Sequence, residues 1–305
     1  MNRRKFIAAS LAAGAAAVGA KSTPARGSNR ARFRMKYAPH FGMFKNSAGP
    51  DPIDQLKFAA DQGFTAWEDN GMMGKNVDLQ KKIARTMERL DMTMGVFVSS
   101  GGFDSKAGEF VTSTSRDLHQ RLRARMKEAV EVARRVNATW STFVPGNISQ
   151  KLEMDYQMAN CVENLRVCAE VCEPAGLVLV LEPLNWWANH PGLFLTRIPQ
   201  AYLICRAVNS PSVKILDDLY HQQVSEGNLI PNMDRAWDEI GYFQIGDNPG
   251  RKEPTTGEIN YKNIFKHIHD KGYKGVLGME HGVSGKGEAG EKALIEAYRY
   301  CDSFE

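Results

Sequence analysis

The chain has 305 residues, of which 43% are hydrophobic and 24% are charged, a mix typical of a globular protein with one large domain or two smaller ones. A chain of this length can bury a large core without disulfide or metal staples. Its formal net charge is only +4, so the composition offers no strongly basic surface for a nucleic acid.

The first twenty residues have the pattern of an export leader. Arg3 and Arg4 stand in a basic patch, an Ala-rich apolar run covers residues 7–18, and Val18-Gly19-Ala20 offers small residues for cleavage. The segment resembles a twin-arginine signal and is too short to remain as a membrane helix. We therefore expect a periplasmic protein that crosses the membrane folded, with no stable membrane insertion after the leader is removed. An Ala-rich N-terminal helix is the alternative interpretation.

The leader and the segment after it are predicted to lie outside the folded domain. Residues 21–32 are polar, contain Pro24 and Gly27, and indicate a linker. The catalytic domain is then predicted over residues 33–305. Removing the three basic residues of the leader leaves 36 basic and 35 acidic residues, a net charge of +1.

The domain alternates apolar segments with amphipathic helical stretches. The predicted strands are 35–41, 64–68, 93–99, 139–144, 177–181, 213–216, 241–245 and 275–279. The predicted helices are 51–62, 77–91, 116–136, 154–173, 199–209, 232–238, 260–271 and 288–303. Eight strand–helix repeats predict a (β/α)8 TIM barrel forming a single domain. A doubly wound open sheet is the competing fold, but it would favour a glycine-rich phosphate turn after an early strand, and neither GxGxxG nor GxxxxGK follows one.

The five cysteines are an odd number, and three of them share one predicted helix. Cys161, Cys168 and Cys172 are spaced seven and four residues apart, which puts them on one helix face. We expect small core residues there. A metal cluster is the alternative, but no CxxC pair supports it.

Polar residues follow most of the predicted strands, where a barrel of this kind holds its active site. They are His40, Glu68, Glu182, Asn185, Asp218, His221, Gln244, Asp247, Glu280 and His281. Three acids and one amide follow four consecutive strands, and three unshielded carboxylates converging there would repel one another. A divalent cation removes that penalty, and all-oxygen ligation favours Mg²⁺ or Mn²⁺ over Zn²⁺. Unrelated polar caps on loops are the alternative.

Residues 241–261 form the most specific segment of the chain, a loop rich in Gly and Pro that can fold over a site. Arg251 lies at its centre, and its guanidinium can grip a carboxylate or two sugar oxygens in bidentate fashion. A surface ion pair with Glu253 or Glu258 is the alternative role. Asn260 is placed to cap the helix that follows.

This segment resembles the signature of hydroxypyruvate isomerases, within the superfamily of xylose-isomerase-like barrels. Residues 181–185 (Leu-Glu-Pro-Leu-Asn), 218–222 (Asp-Leu-Tyr-His-Gln) and 278–282 (Gly-Met-Glu-His-Gly) agree with it. The resemblance runs over the whole mature chain and is strongest from residue 177 onward. Ketose epimerases of the superfamily have His where this chain has Gln244, which favours the hydroxypyruvate isomerase branch. That branch usually has Gly where this chain has Thr255, and its named enzymes are cytoplasmic.

The resemblance implies roles for particular residues. The implied metal ligands are Glu182, Asp218, Gln244 and Glu280. Glu182 and Glu280 are implied to be the catalytic acid–base groups as well. The implied substrate contacts are His221 and Arg251, to which the strand-end pattern adds Glu68, Asn185 and His40.

The predicted function is therefore a divalent-metal-dependent isomerase or epimerase of a small hydroxy-carbonyl compound, hydroxypyruvate or a sugar. It would abstract a proton next to the carbonyl and pass through a metal-bound enediolate. A 3-keto-glycoside lyase or hydratase would begin with the same proton abstraction, and a non-catalytic periplasmic sugar-binding protein is an alternative of another class. An abasic-site endonuclease would need several zinc ions and many His ligands, whereas the chain has seven His in all.

The segment after the fifth predicted strand adds a candidate wall for a sugar. Trp186, Trp187 and His190 lie there, and aromatic faces can stack on sugar rings; packing within the loop is the alternative. We expect a small-molecule sugar or keto-acid substrate and no nucleic acid partner. The sequence leaves assembly into a homo-oligomer open.

Overall fold

The computed structural model describes residues 31–101 and 108–305. The predicted leader, most of the predicted linker and Gly102 lie outside the described residues. The strands are β1 Lys36–Ala38, β2 Ala66–Trp67, β3 Thr93–Met94, β4 Val98–Gly101, β5 Trp140–Val144, β6 Val178–Leu181, β7 Val213–Asp218, β8 Ile240–Gln244 and β9 Val276–Gly278. The helices are α1 Lys45–Ala48, α2 Pro52–Asp61, α3 Val77–Arg89, α4 Glu109–Thr112, α5 Arg116–Val136, α6 Met154–Cys172, α7 Ile198–Val208, α8 Leu219–Ser225, α9 Leu229–Ala236, α10 Tyr261–Asp270 and α11 Gly287–Asp302.

All strand pairs among the described residues are parallel, as a TIM barrel requires. Seven strands form one sheet in the order β1-β9-β8-β7-β6-β5-β4, and β2 pairs with β3. Single contacts join the small sheet to the large one: the Glu68 amide donates to the Pro39 carbonyl, and Met94 bridges to Ala138. The TIM-barrel fold and its single domain are thus confirmed.

The third predicted strand, 93–99, is divided in the structure into β3 and β4. The interruption falls at Gly95, where an added Cβ would overlap the hydroxyl of Tyr242. Tyr242 projects into the barrel from β8, and its hydroxyl accepts a hydrogen bond from the Val96 amide at 3.4 Å. The apolar run of the sequence gives no sign of this interruption, because the tyrosine that contacts it lies on a distant strand.

The capping prediction for Asn260 is confirmed at the start of α10. Asp51 caps α2, with Pro52 in the first turn. Three short helices, α1, α4 and α8, were not predicted, since one or two turns leave too little periodicity to detect. The predicted helix 232–238 begins earlier, as α9, and its last residues form a 3₁₀ turn over Trp237–Glu239.

The apolar core has two layers. A small cluster fills the barrel and includes Val180 of β6, Leu216 of β7, Tyr242 of β8 and Val276 of β9. A much larger cluster packs the outer face of the strands against the helices. Because side chains alternate along a strand, residues two positions beyond the interior group also face the barrel axis. None of the helices in the described ranges is long and apolar enough to cross a membrane.

The cysteines behave as core residues. Cys161, Cys168, Cys172, Cys205 and Cys301 are all buried and free. Burial raises the pKa of Cys172 to about 12, and it raises the pKa of the other four as well. The prediction of core packing for the three cysteines of α6 is confirmed.

Candidate active site

Four polar side chains lie at the C-terminal ends of β6 to β9, facing the barrel axis. Glu182, Asp218 and Gln244 each lie two residues beyond an interior apolar residue, and Glu280 lies two beyond Gly278. Asp218 pairs with Gln244, and Gln244 with Gly278, so neighbouring strands end at the same level. Strand alternation and register together bring the four predicted metal ligands to one rim.

Asp218 divides its two carboxylate oxygens between structure and site. Its Oδ1 accepts the amides of Tyr220 at 2.8 Å and His221 at 3.2 Å, which caps α8. Its Oδ2 faces the site and lies 3.0 Å from Nη2 of Arg251. The first turn of α8 therefore holds Oδ1 of Asp218 in place, while Oδ2 remains directed at the site.

His221 is held in one tautomer by Asn185. The side-chain and backbone nitrogens of Asn185 lie 2.6 and 3.3 Å from Nδ1 of His221. The Asn185 Oδ1 accepts the amides of Ala188 and Asn189, which fixes the orientation of the side-chain amide. Nδ1 is therefore an acceptor, and the ring proton is on Nε2. Burial lowers the pKa of His221 to about 4, so the ring is neutral near pH 7.

The protonated nitrogen of His221 points at the carboxylates. Nε2 lies 3.9 Å from Oε1 of Glu182 and 3.7 Å from Oδ2 of Asp218. These three residues each place one ligand atom within 4.8 Å of the other two, a spacing that could hold a metal ion. A ring nitrogen that bears its proton has no free lone pair for a metal, so in this tautomer Nε2 of His221 is a hydrogen-bond donor and not a metal ligand.

Glu280 has its two oxygens held from opposite sides. Asn70 donates to Oε1 at 2.8 Å, and Arg251 donates to Oε2 at 2.9 Å. Burial raises the pKa of Glu280 to about 7, and Arg251 moderates the rise. Burial, followed by the charge of Glu280, raises the pKa of Glu182 well above its ordinary value. Nothing in the sequence marks Asn70 as a site residue, because it is an exposed loop residue after β2 with no motif around it.

Glu68 lies beneath the ligand layer. It accepts a hydrogen bond from the Tyr242 hydroxyl at 3.0 Å and another from the Gln244 amide. Burial raises its pKa well above the ordinary value. An added Cβ at Gly278 would overlap its carboxylate, so glycine is required there. Glu68 thus contacts Gln244 directly and leaves the Gln244 Oε1 buried without a partner.

Arg251 reaches the carboxylates from a loop with a fixed backbone. Its amide donates to the Asp247 carbonyl at 2.7 Å, and its carbonyl accepts the Gly282 amide at 3.0 Å. Its guanidinium lies over the Tyr220 ring, 5.1 Å from the centroid. The predicted alternative partner Glu253 instead accepts from the backbone and hydroxyl of Ser284. Arg251 is therefore part of the site.

The remaining candidates lie around this centre. His40 contacts the backbone carbonyls of Phe41 and His281. His190 packs on His221 with ring centroids 5.3 Å apart. Trp186 and Trp187 face away, into a separate groove of about 590 Å³ whose lining includes none of the four predicted ligands.

The strands form a parallel barrel, and the Arg251 guanidinium lies among converging carboxylates at its C-terminal rim. This arrangement is typical of the active site of a TIM-barrel enzyme. The chain belongs to the xylose isomerase-like TIM barrel family, whose model matches residues 56–303. It is 34% identical to the hydroxypyruvate isomerase of Escherichia coli over 64% of this chain and 75% of that protein. It is 29% identical to the 2-oxo-tetronate isomerase of Pectobacterium atrosepticum over 78% of this chain and 89% of that protein.

A solved structure agrees with the fold. The crystal structure of AP endonuclease, family 2, from Brucella melitensis superposes with a TM-score of 0.73 at 26% identity, covering 86% of this chain and 98% of that one. The isomerase relatives match most of the chain, and solved epimerases share its fold. The protein is an isomerase.

Proposed function

We propose that the protein is a divalent-metal-dependent isomerase of a small 2-keto acid such as hydroxypyruvate. The observation that carries this is the rim itself: Glu182 and Glu280 flank Asp218 and Gln244, with Arg251 beside them. Both glutamates have raised pKa values, as proton-transfer groups near neutral pH require. The two relatives named above are isomerases of keto acids by name, and a keto acid carries a carboxylate that Arg251 can bind.

The residues present fit a hard divalent cation. Three carboxylates and an unpartnered amide oxygen at Gln244 are oxygen ligands of the kind that Mg²⁺ or Mn²⁺ takes. We propose Glu182, Asp218, Gln244 and Glu280 as these ligands. The bound cation would act as a Lewis acid on the substrate carbonyl.

The side chains would then move the protons. One glutamate removes a proton from the hydroxyl-bearing carbon beside the carbonyl, which gives an enediolate. The other glutamate delivers a proton to the former carbonyl carbon, while a hydroxyl proton passes between the two oxygens. For hydroxypyruvate the product is its aldehyde isomer, 2-hydroxy-3-oxopropanoate. His221 would donate from Nε2 to a substrate oxygen as negative charge develops there.

The test is an NMR assay in D₂O with added Mn²⁺ and hydroxypyruvate as substrate. We expect turnover to the aldehyde isomer, with deuterium incorporated next to the carbonyl and full loss of activity in EDTA. Activity that survives EDTA would contradict the metal requirement. Turnover without deuterium would indicate a hydride shift in place of proton transfer.

Two other outcomes would replace the proposal. Release of a leaving group from a 3-keto-glycoside, with solvent exchange, would indicate the lyase or hydratase alternative. Ligand binding without exchange on any aldose, ketose or keto acid would indicate a binding protein. A binding protein would have no use for two opposed glutamates, which favours the isomerase.

We further propose that residues 1–20 direct the protein to the periplasm by the twin-arginine route. The support is the sequence pattern around Arg3 and Arg4 followed by an apolar Ala-rich run. Replacing both arginines with lysine should trap the precursor in the cell. Unchanged periplasmic yield would contradict the proposal.

A further inference from the structure

Arg251 makes contacts that a substrate-binding residue alone does not need. A single nitrogen, Nη2, lies 3.0 Å from Oδ2 of Asp218 and 2.9 Å from Oε2 of Glu280. These oxygens belong to two of the four proposed metal ligands. The Asp218 side chain is 1% exposed, so this ion pair is shielded from water on that side.

A carboxylate oxygen can accept a hydrogen bond while it binds a metal, but Nη2 lies within 3.0 Å of both oxygens, in the space that a cation bound to both of them would need. Coordination at about 2.0–2.2 Å requires the carboxylate lone pairs to point at the metal. The N–H groups of Arg251 use lone pairs of the same atoms, and the two cations repel each other. A cation bound to both oxygens would therefore displace the guanidinium from Asp218 and Glu280.

The surrounding structure permits the side chain to move while the loop stays in place. The backbone of Arg251 is bonded on both sides, to Asp247 and to Gly282. Its guanidinium lies on the Tyr220 ring, a flat surface over which it can slide without losing the stacking contact. The side chain is 25% exposed, which gives it a path toward solvent and toward a bound substrate.

We propose that Arg251 is an exchangeable counter-ion: it neutralises Asp218 and Glu280 when no divalent cation is bound, and cation binding releases it to bind the carboxylate of the substrate. The inference rests on the proposed metal-dependent function. It implies an order of binding, with the metal first and the anionic substrate second. The released guanidinium would also attract an anionic substrate that the three carboxylates of the rim would otherwise repel.

The test compares Mn²⁺ affinity by calorimetry in the wild type, Arg251→Gln and Lys252→Gln, all metal-free at the start. Removing the competing guanidinium should tighten Mn²⁺ binding about tenfold or more in Arg251→Gln, since two hydrogen bonds between charged groups no longer have to break. Lys252 is the matched control, because it carries the same charge on the same loop and lies against Gly282. We expect Lys252→Gln to change the affinity less than about threefold by long-range charge alone.

A second measurement follows thermal unfolding. Metal-free Arg251→Gln should melt below the wild type because its buried carboxylates lack a counter-ion, and Mn²⁺ should raise its Tm by more than it raises that of the wild type. Equal Mn²⁺ affinity in wild type and Arg251→Gln would overturn the inference and leave the proposed function standing. Equal tightening in both variants would show a diffuse charge effect and also overturn it. Failure of every form to bind Mn²⁺ would overturn the inference and the metal-dependent function together.

Discussion

The two sides of the barrel rim differ sharply in chemistry. On β6 to β9 the rim positions hold Glu182, Asp218, Gln244 and Glu280. On β5 the position next in register to Glu182 is Val144, since Phe143 pairs with Leu181. Val144 in turn pairs with Gly101 of β4. Among β4 to β9, charge at the rim is thus confined to β6 to β9, which we call the acidic arc, and β4 and β5 form the neutral arc.

The hydroxyl groups of the neutral arc mostly satisfy one another. Ser141 donates to the Ser99 hydroxyl at 2.9 Å, and Ser99 donates to the Thr142 carbonyl at 3.1 Å. On the acidic arc Gln244 keeps a buried oxygen without a partner, and Gln244 pairs in register with Asp218, which makes that oxygen a candidate ligand. The Thr142 hydroxyl of the neutral arc also lacks a partner, but Thr142 pairs in register with the apolar Val180.

The largest expected effect comes from the acidic arc. Glu182→Gln and Glu280→Gln should each lower kcat/KM by about 10²–10⁴-fold, because each removes a proton-transfer group. Asp218→Asn should lower both activity and bound Mn²⁺. The neutral arc supplies the control in Thr142→Val, whose hydroxyl is buried without a partner. Its activity should stay within about threefold, and its stability should not fall, because no hydrogen bond is lost. Comparable losses of activity from substitutions on both arcs would contradict the assignment of catalysis to the acidic arc.

A smaller effect is expected from pH. Burial raises the pKa of Glu280 from 4.5 to about 7 and raises that of Glu182 too, so the metal-free folded protein keeps protons that the unfolded chain releases. Its stability should therefore fall as pH rises from about 4.5 to 7. Ligands must lose these protons to bind a cation, so Mn²⁺ affinity should rise over the same range, by up to about tenfold per pH unit per proton. Titrations at pH 5 to 8 that give a constant affinity would contradict this.

The smallest effect is expected at Thr255, on the loop that carries Arg251. Thr255 is exposed and has φ of 77°, in the left-handed region where a β-branched residue is strained. Thr255→Gly should raise the free energy of unfolding by about 1 kcal/mol by removing that strain. The gain should appear in urea unfolding with kcat unchanged. A loss of stability would indicate that the entropy cost of glycine outweighs the strain.

Thr255 also shows what a resemblance can reveal. The sequence departs there from the usual glycine of the hydroxypyruvate isomerase branch, which by itself would allow the loop a different shape. The positive φ shows that the loop takes a glycine-like conformation at Thr255 itself. The departure therefore costs local energy in this structure and leaves the backbone in the form a glycine would adopt.

The strand-end residues were predictable because two simple periodicities place them. Side chains alternate along a strand, and parallel strands end at one rim, so Glu182, Asp218, Gln244 and Glu280 could be placed together from the sequence. Asn70 could not be predicted, because its contact with Glu280 joins residues 210 positions apart through an irregular loop.

Two features of the barrel interior were equally hidden. Tyr242 has the appearance of an ordinary strand aromatic, yet its hydroxyl donates to Glu68 and occupies the space that a side chain at position 95 would need. The tautomer of His221 depends on the amide orientation of Asn185, which is set in turn by backbone amides of the following turn. Such properties arise from packing between distant segments, so no repeating pattern in the sequence indicates them.

The five buried thiols can report how often the helices that cover them open. A thiol reagent can modify Cys161, Cys168, Cys172, Cys205 or Cys301 only after the surrounding helices separate, since each sulfur is buried. The labelling rate of each cysteine under native conditions therefore measures how often the helix that carries it opens. Three of the five report on α6, one on α7 and one on α11, so mass spectrometry of the labelled peptides would rank these helices by how often they detach.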